Sequence, residues 1–378
     1  MGRTSVGPGG GGGRILALGM MSGTSLDGVD AALVDTDGET IFAFGRSAYR
    51  PYAAAEADDL HAALGRWPKE PGVDRAATLS VAAHAALASD FPEARLIGYH
   101  GQTLAHEPRG RGTHQAGQGW RLADATGRPV VWDFRGEDVR RGGEGAPLAP
   151  FFHHALARWA AAQGRLPGNA PVAFLNLGGV GNLTWCDPSQ PDPARACVAF
   201  DTGPANAPLN DLMRSRRGVA RDDGGRLAAQ GAPREAVLSE FLRHPFFTRP
   251  APKSLDRDAF AMLGPAVAQM DDPDAAATLT HAAAAAVAAG LALLPTRPAA
   301  MLVCGGGRHN ATMMAALADR CRMPVHPVER AGLDGDMIEA QAFAWLAVRV
   351  LRGLATSAPA TTGTPEPVCG GRISFPRS

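Results

Sequence analysis

Short apolar runs of strand length alternate along the chain with longer stretches that have helical spacing. The first two runs, "RILALGM" and "VDAALVDT", flank the polar segment "MSGTSLDG", so the chain is predicted to begin with a strand, a tight turn and a second strand. The segment "VAFLNLGGVGNLTWCD" at 172–187 repeats this arrangement, with its second strand predicted to begin near Asn182. An arrangement repeated at the spacing of a domain predicts two halves, each opened by a glycine-rich hairpin.

Helical patterns follow both hairpins. In the first half they cover 54–67 and 73–91, with Asp74 as the predicted N-cap of the second, and another helix is predicted from Pro150. In the second half an alanine-rich helix covers 275–294. Alanine favours helix but contributes little to transfer into lipid, so this segment is predicted to be a buried helix and not a membrane span. The alternation of strands and helices predicts an α/β fold.

Polar residues follow two of the predicted strands. One strand is predicted to end just before His100, which places His100, Gln102 and Thr103 at a sheet edge, and Asp201 follows another strand directly. Residues just beyond the strand ends of open α/β sheets line the ligand crevice. These four side chains are therefore candidates for a binding site.

Composition and charge exclude several classes of protein. Lys plus Arg and Asp plus Glu are both 37, so no strong field predicts binding to nucleic acid or an anionic membrane. The five cysteines are widely spaced without a CxxC pair, which fits a reducing cytoplasm. Residues 1–13 are rich in glycine and lack the apolar core of a signal peptide, so a disordered tail is predicted there.

The two hairpin loops and the segment "CGGGRHN" at 304–310 have the composition of phosphate-binding loops. Glycine permits close approach of the backbone to a polyphosphate, and Asp27 and Asp30 could hold Mg²⁺ directly or through water. Asn310 is the predicted N-cap of the helix that follows the third loop. The alternative is that these residues only satisfy turn geometry. A Walker-type loop is excluded because the first loop has no GK followed by Ser or Thr.

Two acidic residues are candidates for catalysis or metal binding. Asp201 precedes a Gly-Pro turn that leaves its carboxylate exposed in the crevice, where it could act as a general base; alternatively it caps the turn or the next helix. Glu339 lies in the last long helix, where a solvated helix face is the alternative.

Three basic segments have both a binding and a structural interpretation. Arg135 could pair with a substrate carboxylate or form an ion pair with Asp133 or Asp138. His100 could contact a sugar hydroxyl or serve as a structural hydrogen-bonding group. The segment "PKSLDRDAF", with Lys253, Ser254 and Arg257, is either a lid or a charged helix start.

The chain resembles the anhydro-N-acetylmuramic acid kinases. The blocks "GMMSGTSLDGVDAALVD", "IGYHGQTLAHEP", "VVWDFRGEDVRRGGEGAPLAP", "LNLGGVGNLTW", "FDTGPANAPLNDLM", "PKSLDRDAF", "LVCGGGRHN" and "EAQAFAWLA" stand in the order of that family. The resemblance implies a two-lobed actin-like ATPase fold, a duplicated ribonuclease H-like α/β architecture with a nucleotide cleft between the lobes. The predicted parts are the tail, an N-terminal lobe at 14–150 and a C-terminal lobe at 151–378.

The resemblance also implies a reaction. ATP and water open the 1,6-anhydro ring of anhydro-N-acetylmuramic acid, giving N-acetylmuramate 6-phosphate and ADP in cell-wall sugar recycling, with Mg²⁺ as cofactor and Asp201 as the base that activates water. A homodimer is compatible with the sequence. The implied nucleotide contacts are Gly23, Thr24, Ser25, Leu26, Asp27, Gly28, Val29, Asp30, Gly178, Gly179, Asn182, Gly305, Gly306, Gly307 and Asn310; the implied sugar contacts are His100, Gln102, Thr103 and Arg135; the implied metal ligands are Asp27 and Glu339.

The sequence departs from the family pattern near the site. Ala205 stands where the family has glycine, Glu144 where glutamine is common, and Gly136 and Glu137 where the family is more basic. A chaperone-like or non-catalytic ATPase of the same fold is the competing hypothesis, and the polar "HGQT" and "DFR" loops argue against it. A nicotinamide dehydrogenase is excluded because the first loop joins two strands and lacks GxGxxG.

Overall fold

The computed structural model describes residues 13–255 and 259–377. Almost all of the predicted tail at 1–13, together with Arg257, lies outside the described residues. The chain divides into two units, the first comprising Met1–Phe152 and Glu339–Ser378 and the second His153–Ile338.

The described residues form strands and helices in the alternation that the sequence predicts. The strands are β1 (Ile15–Ser22), β2 (Gly28–Thr36), β3 (Ile41–Pro51), β4 (Leu96–Glu107), β5 (Gly112–Ala116), β6 (Val130–Trp132), β7 (Val172–Leu177), β8 (Val180–Cys186), β9 (Cys197–Pro204), β10 (Met301–Cys304), β11 (Val325–Pro327) and β12 (Arg372–Ser374). The helices are α1 (Ala54–Ala62), α2 (Val73–Ala88), α3 (Gly119–Thr126), α4 (Gly136–Arg140), α5 (Pro150–Ala162), α6 (Pro193–Ala196), α7 (Asn206–Arg217), α8 (Glu235–Phe241), α9 (Leu263–Ala266), α10 (Asp272–Leu291), α11 (Ala311–Cys321), α12 (Ile338–Leu351) and α13 (Pro359–Thr362). Short 3₁₀ turns lie at Asp223–Gly225, Ala228–Gln230, Pro245–Thr248, Gly306–His309 and Val328–Ala331.

The first unit is built on a sheet with strand order β12-β6-β4-β1-β2-β3, and β5 pairs with β4. Strands β1 and β2 form an antiparallel hairpin, and β4 runs parallel to β1. On one face, Leu18 and Met20 of β1 form a buried core with Val81 and Leu87 of α2. The hairpin is thereby fixed to a rigid sheet, with its turn at the end of two buried strands.

The other face of this sheet carries α12, which approaches the strands closely at two glycines. A Cβ atom at Gly19 would lie 1.8 Å from the Ala340 carbonyl oxygen, and one at Gly98 would lie 2.0 Å from the Phe343 carbonyl oxygen. The sequence analysis assigned 151–378 to a single C-terminal lobe, and the structure differs because this packing places Glu339–Ser378 in the first unit.

The second unit is built on a sheet with strand order β11-β10-β7-β8-β9. Strands β7, β8 and β9 are antiparallel neighbours, while β10 is parallel to β7. The buried core includes Leu175, Phe200 and Val303 from the strands, with Val287 of α10 and Leu317 of α11. The second hairpin therefore has the same rigid support as the first.

The structure corrects several predicted element boundaries. Helix α2 has Gly72 as its N-cap, and Asp74 lies in the first turn. Strand β8 begins at Val180 and not near Asn182. The predicted helix start at Pro150 and the predicted N-cap at Asn310 are confirmed.

Two candidate regions lie inside strands and not beyond their ends. Strand β4 continues through His100, Gln102 and Thr103 because, after the left-handed Gly101 (φ +77°), it pairs with β5. Strand β9 likewise continues past Asp201 because it pairs with β8 as far as Pro204. Pairing with the strand next to it along the chain extended each strand beyond the apolar run that predicted it.

The alanine-rich helix α10 is buried along most of its length, as predicted. Among the described residues, no helix has both the length and the hydropathy needed to cross a bilayer.

Candidate functional site

The turn of the first hairpin is held by backbone hydrogen bonds. The Leu26 amide donates to the Gly23 carbonyl at 3.3 Å, and Leu26 has a left-handed φ of +57°. Its side chain is 7% exposed and packs with Leu60 and Leu104, which anchors the turn to the first unit. Thr24, Ser25 and Asp27 are exposed at the tip, where backbone amides and hydroxyls can meet a phosphate.

Gln102 fixes the hairpin from the neighbouring strand. The Ser22 hydroxyl donates to Gln102 Oε1 at 2.6 Å, and Gln102 Nε2 donates to the Gly23 carbonyl at 3.1 Å. Since the Ser22 proton points to Gln102, the Tyr52 hydroxyl at 2.9 Å donates to Ser22. Ser22 and Gln102 are 1% and 0% exposed. Gln102 is therefore a support of the first hairpin.

We expect Gln102→Glu to raise the KM for ATP about tenfold at pH 7.5, since an unmade bond at a buried carbonyl costs about 1–3 kcal/mol. The introduced carboxylate can still accept from Ser22 but presents an acceptor to the Gly23 carbonyl. The increase in the KM for ATP should become smaller as pH falls, because the protonated carboxyl group can again donate a hydrogen bond to the Gly23 carbonyl. Steady-state kinetics against pH, with the exposed Gln163→Glu as control, checks this. An unchanged KM for ATP would contradict a role of Gln102 in holding the loop.

Arg135 is held by His100 on the adjacent strand. Arg135 Nε donates to His100 Nε2 at 3.0 Å, and Arg135 Nη1 donates to the Gly145 carbonyl at 2.7 Å. His100 is 3% exposed, and its Nδ1 donates to the Gly101 carbonyl at 2.8 Å, which fixes the neutral tautomer. Burial, with Arg135 beside it, holds the pKa of His100 well below its usual range. His100 is therefore a neutral support for the guanidinium.

The alternative ion pairs for Arg135 are not formed. Asp133 pairs with Arg372 at 2.9 Å. The Asp138 carboxylate accepts from the Gly145 amide at 2.7 Å and from the Ser357 and Thr362 hydroxyls. Arg135 therefore remains a candidate for pairing with a substrate carboxylate. Asp138 fixes the loop at Gly145, whose carbonyl accepts the hydrogen bond from Arg135.

Glu339 lies near Arg135 within the first unit. Its carboxyl is accessible to solvent at the first turn of α12, yet the surrounding protein raises its pKa, and the positive charge of Arg135 partly offsets that rise. Burial lowers the pKa of Arg135, and Glu339 opposes this shift. The Thr103 hydroxyl is less available to a ligand, because its Oγ1 accepts a hydrogen bond from Gln115 Nε2 at 3.2 Å. Arg135 and Glu339 are therefore opposite charges that act on each other within the first unit.

The second hairpin turns at Gly178 and Gly179 and is fixed by the start of α7. Asn206 Nδ2 donates to the carbonyls of Leu177 and Gly178 at 2.8 and 2.9 Å, and the Asn206 amide donates to Gly178 at 3.0 Å. The Ala205 amide donates to the Gly179 carbonyl at 2.9 Å. The carbonyls of this turn are therefore satisfied by the start of α7, which fixes the shape of the loop.

Asp201 lies opposite Asn182 in the β8–β9 ladder, and each of its carboxylate oxygens accepts one hydrogen bond. Asn182 Nδ2 donates to Oδ1 at 2.9 Å, and the Leu255 amide donates to Oδ2 at 2.8 Å. Burial raises the pKa of Asp201, while these two donors and Lys253 lower it. The carboxylate is held in one orientation with a free lone pair on each oxygen, which suits a general base.

The third glycine loop follows β10 and packs against the second hairpin. A Cβ at Gly305, whose φ is +73°, would lie 2.2 Å from Asn176 Oδ1, and one at Gly307 would lie 2.5 Å from Leu177 Cβ. Gly306 has open space beside it. Asn310 is occupied as the N-cap of α11, since its Oδ1 accepts from the Met313 amide at 2.9 Å. Gly306 is the position in this loop that a ligand can approach.

Arg308 joins this loop to the segment before α12. Its side chain is 3% exposed and bonds Glu329 at 2.9 Å, Asp336 at 2.8 Å and the Gly305 carbonyl at 3.1 Å. A buried guanidinium with two carboxylates fixes the loop more firmly than glycines alone.

A family model described as "Anhydro-N-acetylmuramic acid kinase" matches residues 15–376 of the chain. The chain belongs to the anhydro-N-acetylmuramic acid kinase family. A protein of that name from Cereibacter sphaeroides is 64% identical over 369 residues, with 97% of this chain and 98% of the relative covered. A second, from Ruegeria sp. (strain TM1040), is 54% identical over 366 residues, with 96% of each covered.

The two sheets, each opened by a hairpin, confirm the predicted α/β fold with two units. The assignment to the actin-like ATPases and sugar kinases is what the family resemblance implies. The nucleotide cleft between the lobes stays a prediction. Among solved structures, a ROK family glucokinase from Streptomyces griseus with glucose and AMPPNP has a TM-score of 0.40 at 15% identity, covering 88% of this chain and 99% of its own. A xylulose kinase from Lactobacillus acidophilus has a TM-score of 0.42 at 12% identity, covering 96% and 94%. TM-scores this low support no inference about function.

Two departures from the pattern of the anhydro-N-acetylmuramic acid kinase family have structural explanations. Ala205 has a φ of −121°, outside the left-handed region that favours glycine, and its methyl group is buried in the core of the second unit. Glu144 pairs with Arg109 at 2.7 Å in the first unit. Both residues fit their surroundings.

No role was predicted for Asn206, Tyr52 or Arg308, and Asp138 was predicted only as an alternative ion-pair partner of Arg135. Asn206 lies inside the family block "FDTGPANAPLN", which is the one local signal that could have drawn attention to it. Each of the other three has a side-chain partner at least 20 residues away in the sequence: Ser22 for Tyr52, Glu329 for Arg308 and Ser357 for Asp138. Their roles depend on tertiary contacts that spacing does not predict.

Proposed function

We propose that this chain phosphorylates anhydro-N-acetylmuramic acid with ATP while water opens the 1,6-anhydro ring, giving N-acetylmuramate 6-phosphate and ADP. Its relatives carry the name anhydro-N-acetylmuramic acid kinase over nearly their full length. The observation that carries the proposal is Asp201, whose two oxygens are oriented by Asn182 and Leu255.

Asp201 is the proposed base in a balanced displacement. It takes a proton from water, the water oxygen bonds to the anomeric carbon, and the bond from that carbon to O6 breaks. The released O6 forms a bond to the γ-phosphorus as the bond to the ADP oxygen breaks. A pKa raised by burial makes Asp201 a stronger base, and the base is lost as pH falls through that pKa.

The loops and charged groups have separate proposed roles. Residues 23–30, Gly178 and Gly179 present backbone amides to the ATP phosphates, and Gly306 approaches the adenosine. Arg135, with its Nε and Nη1 atoms held by His100 and Gly145, is suited to the lactyl carboxylate of the sugar. Glu339, near Arg135, is suited to a sugar hydroxyl or to the metal.

Mg²⁺ is the metal that such a reaction implies, and the hairpin residues fit it. The exposed Asp27 supplies a carboxylate whose Oδ1 accepts from the Ser25 hydroxyl at 3.0 Å, and Asp30 lies on the adjoining strand. Mg²⁺ prefers oxygen ligands and binds with one or two carboxylates beside phosphates and water. When bound, it would neutralise developing phosphate charge. Among the residues described, no cluster of three or more His, Cys, Asp or Glu could hold a metal.

The reaction is tested by incubation with ATP, Mg²⁺ and anhydro-N-acetylmuramic acid in ¹⁸O-labelled water, followed by mass spectrometry and NMR. We expect one ¹⁸O at the anomeric oxygen, none in the phosphate ester, and phosphate on O6. Label in the phosphate with sugar left closed would show simple ATP hydrolysis and support the competing ATPase hypothesis. Turnover of another sugar in place of this one would change the substrate assignment.

A further inference from the structure

The basic residues of this chain are almost all arginines. Of the 37 Lys and Arg residues, two are lysines, Lys69 and Lys253. Lys69 is exposed in the first unit, whereas Lys253 is 5% exposed in the second. A buried lysine in a chain that otherwise uses arginine indicates a site with specific requirements.

Lys253 occupies a pocket shaped for an ammonium group. Its Nζ donates to the Phe246 carbonyl at 2.7 Å and lies 4.2 Å from the centre of the Phe246 ring and 5.6 Å from that of Phe200. Phe246 belongs to a buried aromatic group with Phe241, Phe247 and Phe260. A compact ammonium can satisfy one carbonyl and two ring faces, whereas a planar guanidinium would need more space.

The backbone that directly follows the Lys253 side chain is bonded to Asp201 at two points. The Asp201 amide donates to the Lys253 carbonyl at 2.9 Å, and the Leu255 amide donates to Asp201 Oδ2 at 2.8 Å. The three-residue segment 253–255 therefore forms a clamp around the carboxylate. Two side chains of that segment reach the aromatic core: Leu255 packs against it, and Lys253 donates its ammonium hydrogen bond to the Phe246 carbonyl.

We propose that Lys253 is a positioning residue for Asp201: by anchoring its ammonium to Phe246, it holds the Leu255 amide on the Asp201 carboxylate. This inference rests on the proposed function, because it assigns a support to the base of that reaction. A displacement of about 1 Å at a catalytic group can cost on the order of 100-fold in rate, so the anchor has a large expected effect.

The positive charge of Lys253 and the hydrogen bonds that Asp201 accepts both favour the ionised form of the Asp201 carboxylate. The pKa of Lys253 is lowered to about 8, mainly by burial and in part by Arg249, while Asp201 opposes the shift. Lys253 is therefore still mostly protonated at pH 7, and its charge lowers the pKa of Asp201 together with the Asn182 and Leu255 donors. Removing the ammonium is expected to raise the pKa of Asp201.

The test compares Lys253→Met with Lys253→Arg and with Lys69→Met as control. Methionine keeps an apolar stem in the aromatic pocket and removes the donor and the charge. We expect kcat/KM for the sugar to fall roughly 30-fold in Lys253→Met, with the KM for ATP unchanged within about twofold. The acid limb of the pH profile should move to higher pH, since Asp201 must be ionised to act. Lys253→Arg keeps the charge and should keep the position of the acid limb, and Lys69→Met should match the wild type.

A second measurement does not depend on activity. Site-resolved hydrogen exchange reports on the Leu255 amide, which should exchange faster in Lys253→Met than in the wild type. Wild-type kcat/KM and an unshifted acid limb in Lys253→Met would overturn the inference. So would a rate loss equal at every pH with Leu255 still protected, which is the result for a purely structural residue. If the wild type does not turn over the sugar, the proposed function fails, and Leu255 exchange alone then decides for or against the clamp.

Discussion

The substitution Asp201→Asn is expected to lower kcat by about 10³-fold or more, since a positioned general base contributes roughly 10²–10⁴-fold. The amide cannot take the proton from water. It also misfits its surroundings, because one of its two polar atoms is a donor, and both oxygens of Asp201 now accept, from Asn182 Nδ2 and from the Leu255 amide. In either orientation of the new amide, its NH₂ group faces one of these two N–H donors.

Single-turnover kinetics with saturating ATP and sugar measures the chemical step of Asp201→Asn directly. ATP affinity should stay within about threefold, because the Asp201 carboxylate bonds to Asn182 and Leu255, whereas the proposed phosphate contacts are backbone amides of 23–30, Gly178 and Gly179. The matched control is Asp223→Asn, an exposed aspartate of the same unit whose nearest guanidinium nitrogens lie at 3.7 and 3.9 Å. Retention of a tenth or more of wild-type kcat would show that Asp201 is not the base.

The parts of the site that local sequence could predict are those made by consecutive residues. The first hairpin and the Asn310 N-cap were predicted because turn glycines and capping side chains act within a few positions of themselves. The role of each polar side chain could not be predicted in the same way. His100 and Arg135 are 35 positions apart, and only the pairing of the strands around them shows that one supports the other.

The ends of the strands and the unit to which Glu339–Ser378 belongs were predicted less well, because both depend on contacts with other elements of the fold. The apolar run before His100 stops where polar side chains begin, but the first of these side chains are still buried and the strand continues because it pairs with β5 as far as Glu107. The position of α12 in the first unit depends on two glycines in strands far from it. Gly19 and Gly98 are the only local trace of that packing, and a glycine inside an apolar strand indicates the close approach of another backbone.

The substitution Gly19→Ala is expected to destabilise the first unit by about 3 kcal/mol, the upper range for overpacking a core. Its Cβ would lie 1.8 Å from the Ala340 carbonyl oxygen and 2.3 Å from the Ala344 amide nitrogen. Both atoms belong to the helix backbone, so α12 must move as a whole. Because Glu339 precedes Ala340, the same movement should lower activity in the molecules that remain folded.

Thermal unfolding measures the effect of Gly19→Ala, and a loss of this size should lower the Tm of the first transition by about 6–12 °C. Gly13→Ala is the matched control, since a Cβ there meets no atom within 4 Å. Gly98→Ala strains the same helix at the Phe343 carbonyl, so the double variant should lose less stability than the sum of the two single variants. Full additivity would mean that the two glycines do not act on one rigid α12, and an unchanged Tm in Gly19→Ala would show that α12 does not pack on β1 as described.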